Sequence, residues 1–379
     1  MGIDNPSIKP QLNHRTRPES VYNPPVSSVL LHKRYCVMNT NDVEVQNDLM
    51  ALARGGDAEA FERLVEPYRR ELLAHCYRIL GSFEDAEDML QETLVRVWKH
   101  LDTFEGRATL RAWLYKIATH VCLDTLDARK RRGLPREMYA RGDPTRPLPQ
   151  AQAEKVWVEP FPDEWIDQQP DSYPEARYEI RESITLAFVA ALQKLPGRQR
   201  AALLLRDVLG WNTQEAAMTL EMSTSAINSA LQRARTTIKH AERKRNLAGG
   251  DLEEPLSSLL ARYVAAWERA DSAALVAVLR EDIALTMPPL PVWFYGRSDI
   301  QAFLDNILFK SFEPFRVRLV PVRANGAPAF AVYQMDREGI FRAAALQILT
   351  LETGQISGID DYLTFDGRLF KAFNLPLMV

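Results

Sequence analysis

Three aspartates in the last third of the chain are the side chains best suited to proton transfer. Asp360 and Asp361 are neighbours within one apolar run, and Asp282 precedes another. A carboxylate works well as a general acid or base when a second group sets its protonation state, and histidine is the most frequent partner. No histidine lies near these aspartates in the sequence. We therefore expect that the chain is not an enzyme.

Metal and redox chemistry are not indicated by the cysteines either. Cys36, Cys76 and Cys122 are widely spaced and form no CxxC pair, so neither a disulfide framework nor a zinc site is expected. His75 precedes Cys76 within an apolar helical pattern, and no further ligand is spaced around them. We expect both residues to pack in a core, and we expect no metal and no cofactor.

Composition limits the partners that the chain can have. Its 379 residues suffice for two or three domains, and 46% hydrophobic with 26% charged residues is typical of soluble globular proteins. The net charge is −3, so nucleic-acid binding would need local basic patches. No apolar run approaches the roughly 20 residues that cross a bilayer, and no signal peptide is evident. We expect a cytoplasmic protein without a membrane partner.

The most strongly patterned stretch begins at Ser82 and predicts a helix. Ser82 is placed to cap it, with Asp85 three residues on in the capping-box position. Mostly apolar residues recur at helical spacing and predict a core face: Ala86, Met89, Leu90, Thr93, Leu94, Val97, Trp98 and Leu101. The other face carries Asp85, Asp88 and Glu92, an acidic stripe that suits a basic partner helix.

A second helix follows after a short turn that contains an aromatic residue. Phe104 lies in this turn, and Gly106 gives the backbone the freedom that the turn needs. The residues that the second helix is predicted to bury are Leu110, Leu114, Ile117 and Val121. The helix ends in four consecutive basic residues, from Arg129 to Arg132.

This order of elements resembles region 2 of the sigma-70 family, in its extracytoplasmic-function (ECF) branch. The resemblance is carried by DAEDMLQETLVRVW, by the turn at Phe104 and Gly106, and by LRAWLYKIATHVCLD. It implies that the first helix docks on the β′ clamp helices of core RNA polymerase. The residues implied in that docking are Asp85, Asp88, Gln91 and Glu92.

The same resemblance implies that the turn and the second helix open and hold the promoter −10 element. Aromatic rings can hold unstacked bases, and basic side chains bind phosphates. The residues implied in these contacts are Phe104, Arg107, Trp113, Tyr115, Lys116, His120, Arg129, Lys130, Arg131 and Arg132. His120 stands where many members of the family have asparagine.

A later block, WNTQEAAMTLEMSTSAINSALQRARTTIKH, predicts a helix-turn-helix. Thr213 is expected to cap its first helix, and Ser223 or Thr224 to begin its second. Together with the preceding LPGRQRAALLLRDVLGW, it resembles sigma region 4, which implies reading of the −35 element and the polymerase β flap as a partner. The residues expected to face DNA are Thr224, Ser225, Asn228, Ser229, Gln232, Arg233, Arg235 and Lys239.

Two segments lack any helical or strand period. We expect residues 1–45 to be a disordered arm, and the proline-rich, acidic residues 133–178 to link helical domains at 46–132 and 179–247. Members of the sigma family thread such a linker through the active-site cleft of the polymerase. Residues 157–165 are interpreted either in this way or as ordinary solvated chain.

Residues 251–379 have a different pattern. Two helices, a strand at Ile283–Met287 and a helix capped by Ser298 precede four further strands, predicted at 315–322, 329–336, 341–350 and 356–363. LLARYVAAWERADSAALVAVLREDIALTMPP and WFYGRSDIQAFL resemble the SnoaL-like (NTF2-like) fold. The fold class implied for the chain is therefore multidomain, with two all-α helical sigma domains and a C-terminal α+β cone.

The resemblance implies a sigma factor whose SnoaL-like domain modulates its activity. That fold encloses a pocket, and the residues expected to line it are Trp267, Met287, Trp293, Tyr295 and Asp361. A small-molecule ligand and an anti-sigma factor are both left open. Two other functions are also open, namely a ligand-sensing helix-turn-helix regulator and a SnoaL-like enzyme with helical appendages. The acidic stripe argues against the first, since an operator-binding protein has no use for it.

Overall fold

Four helices form the first helical unit, residues 40–126. A computed structural model describes residues 40–126, 132–152, 156–167, 183–243, 256–311 and 314–379. The four helices are α1 (Thr40–Arg54), α2 (Ala58–Leu80), α3 (Phe83–Lys99) and α4 (Leu110–Leu126). The central helix, α2, packs against the other three, and a 3₁₀ turn at Leu101–Thr103 follows α3.

The turn from α2 to α3 follows from the residues at the helix ends. Gly81 adopts the left-handed conformation with φ of +71°, which glycine reaches without strain. Ser82 then caps α3, because its Oγ accepts a hydrogen bond from the amide of Asp85, as predicted. One boundary differs, since α1 begins at Thr40 inside the predicted disordered arm. The rest of that arm, residues 1–39, lies outside the described residues.

The second helical unit, residues 183–243, contains the predicted helix-turn-helix. Its helices are α5 (Leu186–Gln193), α6 (Gly197–Leu203) with a π-type turn at Leu204–Val208, α7 (Thr213–Leu220) and α8 (Thr224–Arg243). The cap of α7 is Asn212 in a capping box with Glu215, and not Thr213 as predicted. Glu221 takes the left-handed conformation, with φ of +54°, at the turn into α8.

The third domain, residues 256–379, is a six-stranded sheet with helices packed on both of its faces. Its helices are α9 (Leu256–Glu268), α10 (Ser272–Ala277), α11 (Arg297–Phe303) and α12 (Arg368–Ala372), with short turns at Leu304–Leu308 and Phe309–Ser311. Its strands are β1 (Leu279–Thr286), β2 (Trp293–Tyr295), β3 (Val317–Ala324), β4 (Ala327–Met335), β5 (Phe341–Glu352) and β6 (Gln355–Leu363). The strand order is β2-β1-β6-β5-β4-β3, and among the strands that the structure describes only β1 and β6 pair in parallel.

The two faces of the sheet belong to different cores because side chains alternate along each strand. Phe330, Leu349 and Ile359 face α9, α10 and α11 and form the interior of the cone. Leu346 and Tyr362 point the other way and join the core that contains the helical units. The third domain is therefore built into the packing of the chain through the outer face of its sheet.

The linker is folded onto its neighbours where the structure describes it. It contains helical turns at Pro135–Met138 and Glu164–Asp167. Between them, residues 156–163 form isolated β-bridges at Trp157 and Pro162, and we call this segment the linker strand. In this linker strand Val158 and Phe161 are 0% exposed. The interpretation of this segment as ordinary solvated chain is wrong, because aromatic side chains of the first helical unit and the third domain enclose it. Residues 168–178 of the predicted linker lie outside the described residues.

Candidate nucleic-acid interface

The acidic stripe of α3 borders an open groove between α3 and α4. Asp88 and Gln91 are exposed, and Glu92 is partly exposed and forms an ion pair with Arg96 at 2.7 Å. The groove has a volume of about 530 Å³, and it is lined by Asp88, Met89, Gln91, Glu92, Val95, Arg96, Val121, Asp124 and Thr125. We call it the acidic groove. It offers carboxylates around an apolar floor, which suits a helix that carries both basic and apolar residues.

Asp85 does not belong to this exposed surface, and its predicted placement there is wrong. It is 7% exposed and accepts a hydrogen bond from the guanidinium of Arg132 at 2.5 Å. Arg132 is likewise 7% exposed and also lies 3.5 Å from Glu159 of the linker strand. The predicted placement of Arg132 on the DNA-facing side is therefore wrong in this conformation, because its charge is neutralised inside the protein. Arg129, Lys130 and Arg131 lie outside the described residues.

The aromatic residues of the turn and of α4 are divided between surface and core. Phe104 and Trp113 are partly exposed, and their rings lie 5.1 Å apart. Arg107, beside them, forms an ion pair with Glu105 and has an 84% exposed side chain. This corner therefore presents two partly exposed aromatic rings and a guanidinium at the surface, and its contact with the −10 element stays a prediction.

Tyr115, in contrast, is 1% exposed, so its predicted place on the DNA-facing surface is wrong in this conformation. Its ring packs against His75 at 4.9 Å and against Trp211 of the second helical unit at 5.8 Å. His75 shares this core, where burial lowers its pKa to about 3. Its Nε2 lies 2.9 Å from Thr119 Oγ1, so His75 serves packing, as expected.

The remaining predicted −10 residues of α4 contact the helix-turn-helix. His120 Nε2 donates a hydrogen bond to the carbonyl of Thr219 at 2.8 Å, and Lys116 forms an ion pair with Glu221 at 3.4 Å. Both partners lie at the end of α7, in the turn of the motif. In this conformation, α4 therefore directs part of its polar surface at the second helical unit, while the Lys116 side chain stays 42% exposed.

The predicted −35 surface is exposed along α8. Ala230, Leu231 and Ala234 face the core, because they recur at helical spacing. All eight predicted contact residues lie on the exposed side: Thr224, Ser225, Asn228, Ser229, Gln232, Arg233, Arg235 and Lys239. Arg235 forms two hydrogen bonds with Asp207, at 2.9 and 2.6 Å. Hydroxyl and amide groups thus lie near the start of α8 and basic groups further along.

The interior of the third domain contains a small polar group among apolar side chains. Tyr263 Oη donates to Gln347 Oε1 at 2.8 Å, and Gln347 also hydrogen-bonds Asp361. Asp361 is 8% exposed, and its Oδ1 has no hydrogen-bond partner within the part of the chain that the structure describes. Burial raises the pKa of Asp361 to about 7. Trp267 and Met287 are buried in the same core.

Two of the predicted pocket residues lie elsewhere. On β2, Phe294 points into the cone and stacks on Phe303 at 4.7 Å, so Trp293 and Tyr295 point to the other side. Trp293 Nε1 donates to the carbonyl of Tyr139 in the linker at 2.9 Å. The prediction that Trp293 and Tyr295 line the pocket is therefore wrong.

The other two candidate acids are also outside the cone. Asp360 accepts a hydrogen bond from Thr286 Oγ1 at 2.7 Å on the outer face of the sheet. Asp282 is exposed and bonded to Arg280 at 2.5 Å. The described residues contain no group of three or more histidine, cysteine, aspartate or glutamate side chains that could hold a metal ion. They also contain no helix with the length and hydropathy of a membrane span.

The buried carboxyl of Asp361 gives a testable pH dependence. Its pKa is about 7 in the folded protein and 3.8 when unperturbed, so between about pH 4 and 7 the folded state retains a proton that the unfolded state releases. This group then lowers the free energy of unfolding as the pH rises, by up to about 1.4 kcal/mol per pH unit. We expect Asp361→Asn to remove that slope in urea titrations across this window. Asp305→Asn, at an exposed position, is the control, and identical slopes for wild type and Asp361→Asn would contradict the assignment.

Comparisons with known proteins identify each of these parts. Three family models match the chain: Sigma-70 region 2 over residues 64–132, Sigma-70 region 4 over 185–238, and the SnoaL-like domain over 260–359. They fall on the first helical unit, the second helical unit and the third domain. The predicted fold class is therefore confirmed.

Individual relatives agree with these matches. The ECF RNA polymerase sigma factor SigG of Mycobacterium tuberculosis is 42% identical over 328 residues, which are 85% of this chain and 85% of SigG. SigM of the same organism, also an ECF sigma factor, is 27% identical over 50% of this chain and 81% of SigM. The crystal structure of the M. tuberculosis extracytoplasmic function sigma factor SigJ shares the fold, with a TM-score of 0.51 at 22% identity, over 85% of this chain and 100% of that one. The chain therefore belongs to the ECF branch of the sigma-70 family of RNA polymerase sigma factors, with a SnoaL-like domain after the two sigma regions.

Proposed function

We propose that this sigma factor directs promoter-specific initiation by using three surfaces on two helical units. The acidic groove binds the β′ clamp helices of core RNA polymerase, the corner of Phe104, Arg107 and Trp113 holds the −10 element, and α8 reads the −35 element. The β flap is a further proposed polymerase contact of the second helical unit. The observation that carries the proposal is the joint presence, in one chain, of the exposed acidic groove and the exposed polar face of α8.

The chemistry of each surface supports its proposed partner. An acidic groove repels the phosphates of DNA and attracts a basic protein helix, so it suits polymerase and not promoter. On α8, Asn228 and Gln232 offer amides that can hydrogen-bond base edges, while Arg233 offers a charge for phosphate. Partly exposed rings, such as those of Phe104 and Trp113, can stack on unpaired bases. The protein would act in the cytoplasm, where polymerase and promoters are found.

The third domain is proposed to regulate these surfaces in cis. Arg368 at the start of α12 forms an ion pair with Glu84 in the first turn of α3, at 3.1 Å, one helical turn before Asp88. The domain thus contacts the helix that carries the acidic groove. We do not assign it a reaction, because the buried Asp361 has no histidine beside it and Asp360 and Asp282 lie outside the cone. A ligand in the cone would act only if it bound the docked and undocked states with different affinity.

Polymerase binding should depend on the acidic groove. We expect the double variant Asp88→Lys and Glu92→Lys to bind core polymerase at least about tenfold more weakly. The new lysines would repel the basic residues of the partner helix that is proposed to bind in the acidic groove. Run-off transcription should fall in parallel. Asp85 is left unchanged, since reversing a buried ion pair would destabilise the fold. The charge-matched control reverses Glu281 and Asp305, exposed residues of the third domain. Equal affinity of all three proteins would refute the proposed docking site.

The −35 contacts should separate into two kinds. Replacing Asn228 by Ala should change which −35 sequences are preferred, because an amide that reads a base edge is lost. Replacing Arg233 by Gln should weaken binding to all sequences and reduce the slope of log affinity against log salt by about one. Holoenzyme binding to a panel of promoter variants at several salt concentrations measures both effects. Arg235→Gln, which breaks the pair with Asp207, is compared by thermal melting, and uniform sequence preference in Asn228→Ala would exclude the base contact.

A further inference from the structure

The turn between β3 and β4 carries a buried asparagine that joins all parts of the chain. Asn325 is 0% exposed and has φ of +54°, a conformation that asparagine tolerates better than most residues. Its Nδ2 donates to Tyr77 Oη at 2.8 Å, in α2, and to the carbonyl of Ile184 at 2.6 Å, at the start of the second helical unit. Its Oδ1 accepts from the amide of Phe161 at 2.8 Å, in the linker strand. One side chain of the third domain therefore contacts the first unit, the linker and the second unit.

The backbone around Asn325 pairs with the linker strand. The amide of Asn325 donates to the carbonyl of Phe161 at 2.9 Å, so these two residues exchange two hydrogen bonds. Asp163, 1% exposed, accepts from the amide of Gly326 at 2.8 Å and forms an ion pair with Arg323 at 3.3 Å. The turn thus holds the end of the linker strand through backbone and side chain together.

The other side of the linker strand is held by the first helical unit. The ring of Phe161 lies 4.7 Å from Tyr77 and 5.5 Å from Phe83. Tyr77 Oη donates to the carbonyl of Glu159 at 2.7 Å, and the Glu159 amide donates to the carbonyl of Gly81 at 2.9 Å. The Tyr77 hydroxyl is therefore a relay, because it accepts from Asn325 and donates to the linker.

The carboxylate of Glu159 contacts the hydroxyl of Ser82 and the guanidinium of Arg132, two groups that would otherwise be available to DNA or solvent. It accepts a hydrogen bond from Ser82 Oγ at 2.6 Å and lies 3.5 Å from Arg132, the last residue of the basic run. With Asp85 on its other side, Arg132 is surrounded by two carboxylates and withdrawn from solvent. An anion from the linker thus stands where a phosphate would have to bind this guanidinium.

We propose that the turn 324–326 is an intramolecular latch that keeps the linker strand on the first helical unit. Opening the latch removes Glu159 and the Trp157 carbonyl from Arg132, and so uncovers its guanidinium for promoter DNA while Asp85 stays as its partner. The latch rests on the proposed function in that Arg132 is taken to serve DNA binding. The latched state depends on a few buried hydrogen bonds, each of which contributes only a modest free energy. The loss of one or two of them therefore shifts the equilibrium between the latched and the open state. Covalent connection gives the contact a high effective concentration, which keeps it closed until a partner competes.

The latch can be tested by removing the side chain of Asn325 without straining the turn. Asn325→Gly deletes its three side-chain hydrogen bonds, and glycine accepts a positive φ readily. The control is Thr353→Gly, at φ of +51° in the turn between β5 and β6 of the same domain, where the threonine hydroxyl donates to the carbonyl of the neighbouring Glu352. Thermal melting establishes that both variants remain folded. Tyr77→Phe is a second test, because it removes the relay hydroxyl and keeps the ring.

Two measurements on full-length protein decide the outcome. Hydrogen exchange of the amides of Val158, Glu159 and Phe161 reports the linker strand without polymerase or DNA, and we expect exchange about tenfold faster in Asn325→Gly and Tyr77→Phe than in the control. Binding of the chain alone to a −10 DNA fragment should become tighter in the same variants, and the added substitution Arg132→Gln should abolish that gain. Unchanged exchange, or faster exchange with unchanged DNA binding, would overturn the latch. Loss of transcription in wild type and variants alike would instead count against the proposed sigma function, and the exchange data would still decide whether the latch exists.

Discussion

The arrangement of the chain depends on the packing of Phe161 between Tyr77 and Phe83. Asn325 completes this packing, because its side chain accepts a hydrogen bond from the amide of Phe161 and donates one to the hydroxyl of Tyr77. The buried amides and carbonyls of the linker strand need hydrogen-bond partners, because the strand has no helix of its own to supply them. The third domain and α2 provide these partners. If this strand left, Tyr77, Asp163 and Asn325 would each lose buried hydrogen-bond partners at once. The first unit, the second unit and the third domain therefore behave as parts whose mutual position is set by one buried segment.

The same arrangement explains why the two proposed DNA-binding surfaces differ in exposure. The polar face of α8 is open, whereas α4 directs Tyr115, Lys116 and His120 at the second helical unit. The two units also share buried cations. Arg200 is 4% exposed and donates to the carbonyls of Gln193 and Leu195 at 3.2 and 3.1 Å and to that of Ile79 in α2.

Arg78 lies in the same interface and hydrogen-bonds Ser183 at 2.9 Å, where burial lowers its pKa to about 10. Buried cations are held at a desolvation penalty, so an interface of this kind can open when a partner supplies competing contacts. A closed form that covers Tyr115 and Arg132, and leaves the corner of Phe104 and Trp113 and the proposed −35 surface open, is thus physically consistent with the proposed function.

Much of this could be predicted from the sequence, for reasons that differ between elements. Helices α3 and α8 have strong apolar periodicity and serine caps, which are local signals, and the order of elements was sufficient to indicate both sigma regions and the SnoaL-like fold. The placement of Asp85 was wrong because position three of a capped helix can face outward or inward, and only a distant Arg132 decides it. Asn325 and Glu159 were missed altogether, since their roles arise from contacts across 141 or more and 77 residues of sequence. A turn asparagine followed by glycine indicates a hairpin, but nothing local indicates what the turn will touch.

The closed arrangement of the helical units is tested most directly by the distance between them in solution. Spin labels at Glu59→Cys and Thr236→Cys, both exposed, would report it by pulsed electron resonance in a chain whose Cys36 is replaced by serine. Cys76 and Cys122 are buried and stay unlabelled in the folded protein. The account predicts one narrow distance distribution for the free chain and a clear shift to longer distances when core polymerase and promoter DNA are added. A broad distribution in the free chain, or the same narrow one with and without polymerase and DNA, would contradict it.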